Sequence, residues 1–205
     1  MANTMSANTV AGSLRFKISF LLSSILSVAV AYGSDSITNA STGKLLLKVE
    51  LTDQPANEFV LLKTGDAQGS LKLESVTNSS AGNSNALVLT VSKVGDQCGV
   101  VFVRSAEVES GQWYDLTFRA RTEKRENDRG YGLTISLQSR DGRQLCARTT
   151  LPEVGGEWRD YTVALHSRLS HPAVTLTITM SEPGTIWLDD ITLRQRQTGR
   201  EMRTP

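Results

Sequence analysis

Five consecutive segments between residues 111 and 195 alternate apolar and polar side chains with a period of two. They lie at 111–121, 131–138, 157–165, 173–180 and 185–193. That period belongs to β-strands with one dry and one wet face, because successive Cβ atoms point to opposite sides of a sheet. It excludes a helical architecture for this half of the chain. Shorter runs at 44–50, 58–62, 70–76, 85–91, 99–103 and 143–148 carry the same signature, the last following an Asp141-Gly142 turn. No amphipathic helix is predicted between residues 32 and 205. One-sided strands must bury their apolar faces against something, and two antiparallel sheets packed face to face do so most economically. An all-β antiparallel sandwich is therefore expected, with a closed barrel as the alternative.

The periodicity also names a core. Tyr114, Leu116, Phe118 and Ala120 share a face. So do Tyr131, Leu133, Ile135 and Leu137, and so do Val174, Leu176, Ile178 and Met180. Tyr161, Val163 and Leu165 frame another, with Trp158 off the strict alternation. The last strand is ambiguous. Simple alternation puts Trp187, Asp189, Ile191 and Leu193 on one face and Ile186, Leu188, Asp190 and Thr192 on the other, so both are partly apolar.

The N-terminus reads as a secretory signal. Arg15 and Lys17 precede an apolar stretch over 18–31, which ends in the Ala29-Val30-Ala31 cleavage pattern. A single membrane anchor is the alternative, but the run falls short of the roughly 20 residues a span requires. Segment 1–31 is thus expected to be a signal peptide, 32–43 a polar linker, 44–195 the sandwich and 196–205 a flexible tail. The location implied is secreted, periplasmic or cell-surface, with no stable membrane span after cleavage. Cleavage removes Arg15 and Lys17 and no acid, so the 22 basic side chains fall to 20 against 21 acidic. Such a balance concentrates no positive field for a phosphate backbone, and nucleic-acid binding is not expected. Cys98 and Cys146 are the two cysteines of an exported chain, so a disulfide between them is possible, with two buried free thiols as the alternative.

Three stretches resemble the CenC-like carbohydrate-binding modules, a group of galactose-binding-like jelly-roll sandwiches. Ser80 to Thr90 is similar to that family's "small residue, Gly, variable, Ala-Leu-strand" element. Gly111 to Arg121 is similar to its Gly-x-x-Tyr-x-apolar-Ser/Thr-Phe-x-Ala-Arg/Lys strand, and Gly156-Glu-Trp158 with Tyr161, then Gly184 to Leu193, resemble its closing strand pair. The resemblance covers roughly residues 58–195. It implies a jelly roll that binds polysaccharide, and often a structural Ca2+ held in part by a carboxylate of the last strand, here Asp189. The family's opening Asn-x-x-Phe-Glu element has only Asn57-Glu-Phe59 as a distorted counterpart.

Candidate function residues follow from this chemistry. Sugar rings stack on flat aromatic faces and exchange hydrogen bonds with Arg, Asn, Gln and Asp. Trp113 is out of phase with the core residue Tyr114 and is the expected exposed platform; Trp158 and Trp187 are expected in the core. Arg119, Arg121 and Gln138 lie on faces opposite the core and complete a candidate saccharide groove, against the alternative of an ordinary solvated sheet face. Asp189, with Glu74 as a weaker second ligand, is the candidate calcium site, against a carboxylate accepting backbone N–H bonds. No catalytic residue is assigned. His166 and His171 fit no common zinc spacing, and no nucleophile or phosphate-loop motif occurs. A secreted non-catalytic carbohydrate-binding module is the leading reading. A structural or protein-interaction sandwich at the cell surface is the second, and a small glycoside hydrolase the third.

Overall fold

A computed structural model describes residues 43–51, 58–78, 82–124 and 130–197. The signal-peptide reading, most of the linker, the turn at 53–57 and residues 198–205 of the tail lie outside the described residues. Within them are eleven β-strands: β1 (Leu45–Lys48), β2 (Phe59–Thr64), β3 (Gln68–Asn78), β4 (Gly82–Lys93), β5 (Gln97–Val108), β6 (Trp113–Thr122), β7 (Tyr131–Ser139), β8 (Leu145–Val154), β9 (Arg159–His166), β10 (His171–Met180) and β11 (Gly184–Gln195). Each corresponds to one of the alternating segments of the sequence.

The strands form two antiparallel sheets. Sheet 1 runs β3-β4-β11-β6-β9, with β1 also on β11, and sheet 2 runs β2-β5-β10-β7-β8. β11 lies between β4 and β6, and β10 between β5 and β7, so late strands insert between early ones. This is an all-β sandwich with jelly-roll, galactose-binding-like topology. The core between the sheets contains the predicted faces: Leu116, Phe118 and Ala120 of β6, Leu133, Ile135 and Leu137 of β7, and Leu176, Ile178 and Met180 of β10 are all buried. Each fully buried side chain of this size contributes roughly 1.5–3 kcal/mol relative to exposure.

The ambiguous last strand is resolved by a β-bulge. Asp189 pairs with Arg119 and Thr192 with Thr117, so Asp190 and Ile191 together oppose Phe118. Asp190 takes the left-handed conformation at φ 52°, which short polar side chains tolerate better than most. Its N–H donates to Asp189 Oδ1 at 2.8 Å. The extra residue shifts the alternation by one, so Ile186 and Leu188 before it and Ile191 and Leu193 after it all face the core. Trp187 and Asp189 face outward, which corrects the face assigned by simple alternation. Beyond the bulge, β1 pairs with β11 (Leu47 opposite Leu193).

Two further expectations are corrected. Cys98 and Cys146 are free and buried. Cys98 is on β5 and Cys146 on β8, with β10 and β7 between them. At about 4.8 Å per strand, three steps exceed the roughly 7 Å that a disulfide can span between Cα atoms. The tail, expected to be frayed from residue 196, is docked at its start. The Arg196 N–H donates to the Trp113 carbonyl at 2.8 Å, and its guanidinium forms a two-pronged pair with the buried Asp115 carboxylate.

Candidate functional site

The outer face of sheet 2 is a polar bed. Across its middle, Thr177 of β10 lies beside Ser136 of β7, which lies beside Arg148 of β8. The Gln138 amide donates to Thr177 Oγ1 at 3.0 Å, and the Thr179 hydroxyl donates to the Thr134 carbonyl at 3.4 Å. Thr177 is buried although it points away from the core, so it forms the floor of a depression rather than part of a flat sheet. That depression encloses about 370 Å³ and includes Gln97, Ser136, Gln138 and Arg148 in its lining.

Leu145 and Arg148 also line a larger cleft of about 620 Å³, at the open side where edge strands β8 and β9 come together. Its far wall is Trp113, with His166 and Arg168. Trp113 is 39% exposed, as its phase relative to Tyr114 predicts. Its ring lies 4.7 Å from the His166 ring, tilted by 38°, and the Arg196 guanidinium sits 5.7 Å from its centroid. The indole is thereby held in place with part of its surface open. The two depressions meet at Arg148, joining an aromatic wall to a bed of hydroxyls and amides.

The outer face of sheet 1 has a different chemistry. Arg121 lies opposite Trp187, and Arg119 opposite Asp189. The Arg121 guanidinium is 4.5 Å from the Trp187 ring centroid and 5.5 Å from that of Trp158. Arg119 pairs with Asp160 at 3.1 Å and lies 6.0 Å from the Trp158 ring. Glu74 accepts from Trp187 Nε1 at 3.3 Å and pairs with Lys72 at 3.6 Å. Trp158 and Trp187 are half-buried on this surface rather than in the core.

The four candidate saccharide residues therefore do not form one groove. Arg119 and Arg121 are on the outer face of sheet 1, Gln138 is on the outer face of sheet 2, and Trp113 is at the edge between them. Gln138 and Trp113 are linked through the two adjoining depressions, and the arginines are not. Sequence reading missed Arg148, His166 and Arg168. Arg148 is one register step from Ser136, a signal that becomes legible only once β7 and β8 are paired.

Asp189 and Glu74, the candidate calcium ligands, share the sheet 1 face. Asp189 accepts the Asp190 N–H and has an arginine as its cross-strand neighbour, and the Glu74 carboxylate is taken by Trp187 and Lys72. Among the described residues no three His, Cys, Asp or Glu side chains gather to hold a metal. Desolvation, and then the adjacent Asp189 carboxylate, raise the Asp190 carboxyl above its ordinary value, with Arg119 opposing. Burial raises both thiols, Lys63 opposing it at Cys98, so neither is poised as a nucleophile. A glycosidase needs two carboxylates facing a common bond. The larger cleft has none among its described lining residues, the depression beside it has Asp96 alone, and a third of about 230 Å³ is lined by Glu153 and Glu182.

No protein-family model matches the chain, and no curated protein matches it in sequence. Solved structures do share the fold. An arabinose-bound GH51 α-L-arabinofuranosidase matches with a TM-score of 0.58 at 19% identity, over 75% of this chain and 26% of that one. The chain thus spans about a quarter of that enzyme. A CBM4 structure matches at TM-score 0.51 and 17% identity, over 71% of this chain and 93% of the other. A family 11 carbohydrate-binding module from Clostridium thermocellum, in complex with a β-1,3-1,4-mixed-linked tetrasaccharide, matches at 0.50 and 13%, over 76% and 98%. At these identities the likeness is one of fold. Among the described residues no helix is long and apolar enough to cross a membrane.

Proposed function

We propose that this protein is a secreted, non-catalytic carbohydrate-binding module of CenC-like type that recognises a polysaccharide chain along the outer face of sheet 2. One observation carries the reading: the polar bed of Gln138, Ser136 and Thr177 continues at Arg148 into the cleft walled by Trp113 and His166. A glycan chain needs both surfaces. Its axial C–H face stacks on an aromatic plane, and its equatorial hydroxyls exchange hydrogen bonds with planar polar side chains. Open depressions suit a chain that continues beyond the site at both ends, whereas an enclosed pocket would suit a terminal sugar.

Both module structures that share the fold are covered almost from end to end, so the likeness extends over a whole module. The arabinofuranosidase holds the same fold as one part of a larger enzyme. The test is retention of the purified protein on mixed-linked β-glucan, xylan, arabinoxylan and cellulose, by affinity electrophoresis and pull-down. Trp113→Ala and Gln138→Ala should each weaken retention roughly tenfold, the scale of a truncated binding hot spot. A folded protein retained on no polysaccharide would sink the reading and leave a protein-interaction sandwich. Running the assay with calcium and again with chelator tests Asp189 and Glu74: loss of retention on chelation would support a calcium ion there, and unchanged retention would count against it.

A further inference from the structure

We propose that the outer face of sheet 1 carries a second glycan site, built on Arg121 and selective for a sugar carboxylate, that is, for a uronic acid residue of an acidic polysaccharide. The inference rests on the polysaccharide-binding reading but uses a different surface and different residues. Arg121 is held between Trp187 and Trp158, its guanidinium 4.5 and 5.5 Å from their ring centroids. Both tryptophans are half-buried, so part of each stays open to solvent beside the cation. Stacking restricts the guanidinium in advance, which lowers the entropy lost when it grips a ligand.

Among the described residues the cation has no carboxylate of its own. Arg121 makes no ion pair or hydrogen bond with any of them, and its Nε is buried without an acceptor. Each acid nearby among the described residues is engaged elsewhere. Asp160 pairs with Arg119 at 3.1 Å, and Glu74 pairs with Lys72 and accepts from Trp187. Asp189 accepts the Asp190 N–H. Glu157, the acid whose carboxyl senses Arg121 through space, is bound to Lys124 at 2.9 Å. A planar cation clamped between two aromatic faces, with its fork unmatched, is complementary to a carboxylate on a ring that can lie against those faces. A uronate presents the carboxylate and the stacking ring together, and an acidic peptide presents only the first.

The experiment is affinity electrophoresis of the wild-type protein through gels containing polygalacturonate, its carboxyl-reduced neutral counterpart, or poly-glutamate. Retardation is expected by polygalacturonate alone, fading as salt rises. Arg121→Gln should weaken it about tenfold or more, the scale of losing a charge-assisted fork. Arg121→Lys should restore only part. No retardation of the wild type, or equal retardation in Arg121→Gln, overturns the site. Equal retardation by poly-glutamate overturns the sugar assignment, and equal retardation by the reduced polymer overturns the carboxylate. Retention on neutral glycans is read separately through Trp113→Ala, so either site can fail without the other.

Discussion

The extra residue at Asp190 keeps the two halves of β11 in phase with the core, and two one-residue deletions test that arithmetic. Removing Asp190 itself takes out the bulge but not the facing. Leu188 still points inward, Asp189 outward, and Ile191 and Leu193, both 0% exposed, stay inward against the same partners on β6. Pairing with β1 survives too, because Leu47 still meets Leu193. Deleting Thr192 instead leaves no register that buries both side chains. If the bulge stays, Leu193 turns outward and Arg194 inward; if the bulge straightens, Ile191 turns outward and Asp190 inward. Either way one such side chain is exposed at a cost of about 1.5–3 kcal/mol, before the cost of burying a charge. That is a large share of the roughly 5–15 kcal/mol that holds a domain folded. Urea unfolding followed by tryptophan fluorescence separates the two. With a slope of about 2 kcal/mol per molar, the Thr192 deletion should lower the midpoint by about 0.75–1.5 M or more, whereas the Asp190 deletion should unfold within about 0.5 M of wild type. An Asp190 deletion as destabilised as the Thr192 deletion would refute the claim that alternation carries this burial.

Other expectations can be checked on the same material. Because desolvation and Asp189 raise the Asp190 carboxyl in the folded state, the unfolded chain loses this proton first as pH rises, so ionised Asp190 opposes folding. Asp190→Asn should therefore be more stable than wild type at neutral pH, with the gap closing as pH falls below the ordinary carboxylate range; a gap unchanged at low pH would contradict this. Cys98 and Cys146 should resist a thiol reagent in the native protein and react together on unfolding, with identical electrophoretic mobility with and without reductant. Arg196→Ala leaves the Asp115 carboxylate without its partner at a site only 9% exposed, and should cost about 1–2 kcal/mol in urea unfolding, reduced by the solvent access of Arg196.

The core strands were legible because burial on one side of a sheet writes itself into the sequence at period two. Tyr114 to Ala120, Tyr131 to Leu137 and Val174 to Met180 needed no partner to be read. Trp113 could be placed on the exposed side by its phase against Tyr114. The last strand defeated the same rule, since Asp190 inserts one residue and reverses the alternation midway. Simple alternation therefore groups Trp187 with Ile191 and Leu193, although its ring lies on the outer face beside Arg121.

Sequence alone determined that this chain is an all-β protein, which strands it forms, and most of the side chains between its sheets. Those are local properties, set by the alternation of Cβ direction along each strand. Tertiary structure alone decided which polar faces are neighbours. Arg121 and Gln138 both lie opposite the core on their own strands, yet they belong to different sheets and point to opposite sides of the sandwich. Period two says that a residue faces outward, but only the order in which strands pair says onto which surface.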